Sequence, residues 1–148
     1  MHDKTPAILE NLLAICRDGV DGFELASHEI RSSELQSLFL GYSLQRSRLG
    51  RELEAAISAV GDGISEAGGK SSRTWMIPVE AGYSRDEQAV LTDCERGEDT
   101  ALAAYAAALQ EPELTPAIRG MLTAQAAEVK AAHGEVNSLR TRFAPVTV

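Results

Sequence analysis

Apolar residues recur at three- and four-residue steps along four separate stretches of this chain, a period that fits an α-helix and not a strand. In the first stretch, Leu9, Leu12, Leu13, Cys16, Val20, Phe23 and Ser27 share one face over residues 6–30. Pro6 suits the first turn and Thr5 is its expected cap. Gly19 lies on that same face, with Gly22 beside it. A glycine inside a helix costs about 1 kcal/mol relative to alanine, so Gly19 is expected to mark close approach of a neighbouring helix. Ser32-Ser33-Glu34 makes a turn and cap before the second stretch, residues 33–60. Its stripe runs Leu35, Leu38, Phe39, Tyr42, Arg46, Leu49, Leu53, Ile57 and Val60. Arg46 interrupts the apolar line and Gln45 flanks it.

The third helix is expected over residues 85–110. Ser84 followed by Glu87 has the spacing of a capping box. The stripe that follows is Leu91, Cys94, Glu98, Ala101 or Leu102, Tyr105 and Leu109, and Glu111-Pro112-Glu113 ends it. Thr115-Pro116 opens the fourth helix, residues 115–143, whose stripe includes Ile118, Leu122, Gln125, Val129, His133, Val136 and Phe143. Abundant alanine and only 5% aromatic residues agree with an all-helical chain.

The connections are short, long, short. Residues 61–84 are rich in glycine and serine and hold one apolar island, Trp75-Met76-Ile77. A connection longer than ~12–15 residues is uncommon in a compact domain unless it has a task. A crossover running the length of a bundle is such a task, with Trp75 pinning it. The expected fold is therefore a single all-α domain over residues 1–148. It is a ferritin-like four-helix bundle with one long crossover between helices 2 and 3.

The chain carries 22 acidic and 14 basic residues, a formal net charge of -8. A surface of that sign repels nucleic acid and anionic lipid, so neither is an expected partner. No apolar run approaches the ~20 residues of a membrane span. The opening Met1-His2-Asp3-Lys4-Thr5-Pro6 lacks a signal-peptide profile. Cys16 and Cys94 would sit ~12 Å apart in height, too far to form a disulfide. A cytoplasmic location is expected. Nucleophile elbow, phosphate loop, Cys-x-x-Cys and dinucleotide fingerprint are all missing from the sequence.

The polar residues on the stripes carry the functional question. In the crossover topology, helices 2 and 3 run one way and helices 1 and 4 the other. Glu24, Arg46, Glu95, Glu98 and His133 then fall within ~9 Å of one height. Asp21 and Gln45 lie close by, Gln125 one to two turns lower, and Glu52 lower still. A carboxylate at such a depth must pair, bind a metal or take up a proton.

Two readings follow. In the first, Gln45, Arg46, Glu98, Gln125 and His133 form a structural polar layer that fixes helix register in a protein that is not an enzyme. In the second, Glu24, Glu95, Glu98 and His133 hold iron, manganese or zinc for oxidase or metal-handling chemistry. The di-iron pattern pairs Glu with His three residues on. Here Ala55 follows Glu52 and Ala131 follows Glu128 at that spacing. Arg46 also competes for the carboxylates. Homo-oligomer formation through an exposed helix face or the crossover is a further expectation.

Ile15-Cys16-Arg17-Asp18-Gly19-Val20-Asp21-Gly22-Phe23 resembles the first helix of a bacterial ferritin-like four-helix-bundle family known as a domain of unknown function. Gln45-Arg46 with Glu52-Leu53 resembles its second helix. Cys94-Glu95-Arg96-Gly97-Glu98-Asp99, with Ala101-Leu102 and Tyr105, is similar to its third. Val129-Lys130-Ala131-Ala132-His133 with Leu139-Arg140 resembles its fourth. The resemblance implies a ferritin-like bundle associated with stress-response gene sets and without an established activity. It also implies a short amphipathic helix around the tryptophan, where Pro78 and the glycines of this chain depart from the pattern.

Overall fold

The computed structural model describes residues 4–60 and 87–142, which form four α-helices and no strand. They are α1 (Thr5–Glu29), α2 (Ser33–Ala59), α3 (Glu87–Ala108) and α4 (Pro116–Arg142). The expected crossover 61–84, with Trp75, Ser84 of the capping box, and Phe143 lie outside the described residues.

Two of the expected caps are present. Ser32 Oγ accepts from the Leu35 N–H at 3.2 Å, and Thr115 Oγ1 accepts from the Ile118 N–H at 3.2 Å. The start of α1 differs from expectation. Lys4, not Thr5, occupies the cap position, and no side chain caps this end. Lys4 already has near-helical dihedrals (φ −81°, ψ −9°), so Thr5 is drawn into the first turn. Two further contacts secure the helix ends. The Glu87 carboxylate accepts from the Ser32 N–H at 3.2 Å, which ties the start of α3 to the α1–α2 turn. Arg119 of α4 donates to the carbonyls of Leu109 (2.8 Å) and Glu111 (2.7 Å), satisfying groups that the end of α3 leaves open.

The helices form a ring in which α1 touches α2 and α3, and α4 touches α3 and, less extensively, α2; the diagonal pairs do not touch. Every neighbouring pair is antiparallel. The first half of α1 (Leu9, Leu12) clusters with the second halves of α2 (Leu53, Ile57) and α3 (Tyr105, Ala108) and the first half of α4 (Ile118, Leu122). The second half of α1 (Phe23, Ala26) clusters with Leu35 and Phe39, Val90 and Leu91, and Val136 and Leu139. α2 thus ends in one cluster, at Ile57, while α3 begins in the other, at Val90. The ends that bound residues 61–86 lie at opposite ends of the ring.

Close contact between α1 and α2 depends on small residues. Ser43 Oγ donates to the Val20 carbonyl at 2.9 Å. A Cβ placed on Gly19 would stand 3.0 Å from Arg46 Cγ and 3.5 Å from its Cβ and Cδ. Gly19 is thus the packing contact its position on the stripe implies, and what it accommodates is the stem of Arg46. On α4, a Cβ on Gly134 would meet nothing within 4 Å. Gly134→Ala is therefore expected to raise stability by about 0.5–1 kcal/mol through helix propensity. Gly19→Ala should lose that gain to the clash and lower the urea midpoint. Equal stabilisation by both substitutions would contradict the packing assigned to Gly19.

Candidate functional site

Arg46 and Glu98 meet across the diagonal of the ring. Their helices, α2 and α3, have no backbone contact, so the side chains themselves span the interior. Arg46 Nη1 donates to Glu98 Oε1 at 2.5 Å and Nη2 to Oε2 at 2.6 Å, a two-pronged ion pair. Arg46 is 2% exposed and Glu98 0%. The third donor of the fork, Arg46 Nε, reaches Gln45 Oε1 at 3.1 Å. The guanidinium carbon stands 5.4 Å above the centre of the Phe23 ring, within cation–π reach. The pair lies between the two apolar clusters, bounded by Cys94 on one side and Ala101 on the other.

Burial is the largest influence on Glu98 and pushes its carboxyl above the ordinary value. The hydrogen bonds and charge of Arg46 oppose this, as does nearby His133, while Asp99 adds to the rise. The net direction is upward, so taking the carboxylate out of water outweighs what its partner returns. A buried pair of this kind adds little net stability, yet losing one partner strands the other.

The remaining candidates are distributed among other partners. Gln125 belongs to a second polar layer, nearer the first cluster. Tyr105 Oη donates to Gln125 Oε1 at 2.6 Å, and Gln125 Nε2 donates to the Leu49 carbonyl at 3.2 Å and to Glu52 Oε1 at 2.9 Å. Cys16 Sγ lies 3.5 Å from Tyr105 Oη. The phenol proton is already engaged by Gln125, so the thiol is the donor there. Burial pushes both the Cys16 thiol and the Tyr105 phenol upward, which keeps them neutral. His133 Nε2 lies 2.6 Å from Asp99 Oδ1, at the rim. Glu95 Oε1 is 3.1 Å from Arg140 Nε. The Glu24 side chain is exposed on α1.

The structure therefore brings Gln45, Arg46 and Glu98 together. It places Gln125 in a separate layer and does not gather Glu24, Glu95, Glu98 and His133 around one point. Among the described residues, no three His, Cys, Asp or Glu side chains are grouped so as to hold a metal ion. Nothing in this geometry favours metal binding over the ion-pair layer.

Sequence reasoning missed several partners: Tyr105 as a hydrogen-bond donor, Glu52 as an acceptor, Asp99 and Arg140. Tyr105 left a readable signal. A tyrosine on a buried stripe needs a partner for its hydroxyl, and the Gln125 stripe faces it. The α2–α4 seam is likewise polar: Tyr42 donates to Glu135, and Arg48 bridges Glu52 and Glu128. A surface groove of about 400 Å³ opens between α1 and α2, lined by residues including Arg17, Asp21, Arg46, Arg51 and Glu54. Arg17 and Glu54 pair there at 2.8 Å.

The described residues make an all-helical structure whose interior is crossed by a buried arginine–glutamate pair. Residues 4–111 match the domain of unknown function DUF2383, and the chain belongs to that family. The match contains Arg46 and Glu98 but not α4, the source of Gln125 and His133. No curated protein matches the chain. Among the described residues, no helix is long and apolar enough to cross a membrane.

The raised Glu98 carboxyl gives a pH dependence of definite sign. Between the ordinary carboxyl value of 4.5 and its higher folded value, the folded chain holds a proton that the unfolded chain releases. The contribution of Glu98 is thus fully present below 4.5 and is lost as pH rises through the folded value. Urea unfolding across this range should show wild type losing stability relative to Glu98→Gln as pH rises. A relative change of the opposite sign would mean that Arg46, not burial, governs Glu98.

Proposed function

We propose that this protein is a ferritin-like four-helix bundle without enzymatic activity of its own, in which the Arg46–Glu98 pair sets the register of the helices. The observation that carries this reading is the commitment of both Glu98 carboxylate oxygens to one guanidinium. In a carboxylate metal bundle, those inward oxygens are the ligands. A guanidinium stays charged and presents a rigid fork that matches the carboxylate, so it holds the position a metal would need. The other candidate ligands are committed elsewhere, Glu95 to Arg140 and His133 to Asp99, while Glu24 is exposed, which supports the same reading. A cytoplasmic location, where Cys16 and Cys94 stay as thiols, belongs to this proposal. So do the absence of a nucleic-acid partner, in keeping with the net charge of -8, and the stress-associated role implied by the resemblance of the four helices.

Two experiments test it. Elemental analysis of protein purified without chelator should find no stoichiometric iron, manganese or zinc. A stoichiometric metal that disappears in Glu98→Ala and in His133→Ala would overturn the reading. Glu98→Ala alone should destabilise the bundle by about 3–5 kcal/mol, because it strands a buried arginine. The apolar replacement Arg46→Met/Glu98→Leu should instead be neutral or more stable, while its amide NMR signals broaden as helix register loosens. Sharp, native-like spectra from that double variant would show that the pair does not specify register.

A further inference from the structure

The outward line of α2 runs through Ser33, Ser37, Leu40, Leu44, Arg51 and Ala55, all exposed. Leu40 is 45% and Leu44 72% exposed, the two large hydrophobic side chains left open to solvent among the described residues. They stand four residues apart and so lie one above the other on the helix. No acid occurs on that line, although the chain carries a net charge of -8. Two copies of such a chain repel each other over most of their surface, and this line adds no acid to that repulsion. Arg51 donates to Ser47 Oγ at 3.1 Å and forms no ion pair among the described residues. Glu34, at the edge of the same face, has among the described residues a long contact to Arg142, 3.5 Å between two exposed side chains.

The spacing of these residues is self-complementary. If two α2 helices pair antiparallel about a twofold axis at position 42, Leu40 of each copy faces Leu44 of the other. In that register Glu34 lies eight residues before the axis and Arg51 nine residues after it. The offset of one residue is about 1.5 Å along the helix, within the reach of both side chains. We propose that the outer face of α2 is the contact between two copies of this chain, with an antiparallel Leu40–Leu44 seam closed at each end by a Glu34–Arg51 ion pair. The twofold axis repeats every contact, so one pattern supplies both leucine pairs and both ion pairs. A face about 40 Å long and one helix wide buries less than the ~1,600 Å² of a standard interface. The dimer is accordingly a reversible one of micromolar affinity. The proposal is independent of the role assigned to Arg46 and Glu98, which lie in the interior.

Analytical ultracentrifugation of the full chain from about 1 to about 200 µM tests it, since a micromolar dimer dissociates within that range. Wild type is expected to pass from monomer to dimer. Leu44→Asp should weaken association at least about tenfold by placing a charge in the seam. Its helical circular dichroism should not change, because Leu44 supports no interior contact. Glu34→Arg and Arg51→Glu should each weaken the dimer, and the double variant should restore it, because the exchanged charges meet again. A monomer at every concentration overturns the proposal, as does a dimer indifferent to Leu44→Asp. Failure of the double variant to recover affinity overturns the antiparallel register.

Discussion

A permanent positive charge lies in the middle of this bundle, and the interior is arranged around accommodating it. Arg46 cannot give up its proton, so its burial requires a carboxylate in two-pronged contact, and Glu98 provides one at 2.5 and 2.6 Å. The stem of Arg46 requires room beside α1, and Gly19 leaves it. Its charged face lies above Phe23 and its remaining fork nitrogen reaches Gln45. Residues of α1 and α3, with the neighbouring Gln45 of α2, are thereby tied to one side chain. The tie also joins α2 and α3, which no backbone contact joins.

The pair divides the core. On one side lies the cluster built from Leu9, Leu12, Leu53 and Leu122, and on the other the one built from Phe23, Phe39, Leu91 and Val136. Apolar packing alone tolerates a helix sliding by a turn, because one leucine replaces another at similar depth. A single buried donor fork facing a single buried carboxylate does not tolerate it, since a slip leaves both charges without a partner. The Tyr105–Gln125–Glu52 layer, one step nearer the first cluster, applies the same constraint between α3, α4 and α2. The energetic cost shows in the upward displacement of the Glu98 carboxyl.

Much of the fold was legible in the chain. The stripes located all four helices within a few residues, and Ser32 and Thr115 capped two of them as their spacing implied. Arg46 and Glu98 stood out because each interrupts an apolar stripe, and Gly19 because it wastes helix propensity on a buried face. Thr5 was misread as a cap because a one-residue shift in the helix start rests on the backbone of Lys4, which no side-chain pattern reveals. The polar layer was read as one girdle, yet Gln125 sits in a separate layer and Glu95 and His133 turn to the rim. Height along a helix can be counted from sequence; the direction of a side chain around it is shared with every neighbour.

By itself, the sequence determined four amphipathic helices, their approximate ends, and the presence of charged groups on the buried stripes, because period and capping are local properties. The tertiary structure alone decided which acid took the arginine. Glu95, Glu98 and Asp99 lie within little more than one turn of α3, and successive residues are rotated by 100° around its axis. Only the placement of α2 and α4 around that turn directs Glu98 to Arg46, Glu95 to Arg140 and Asp99 to His133.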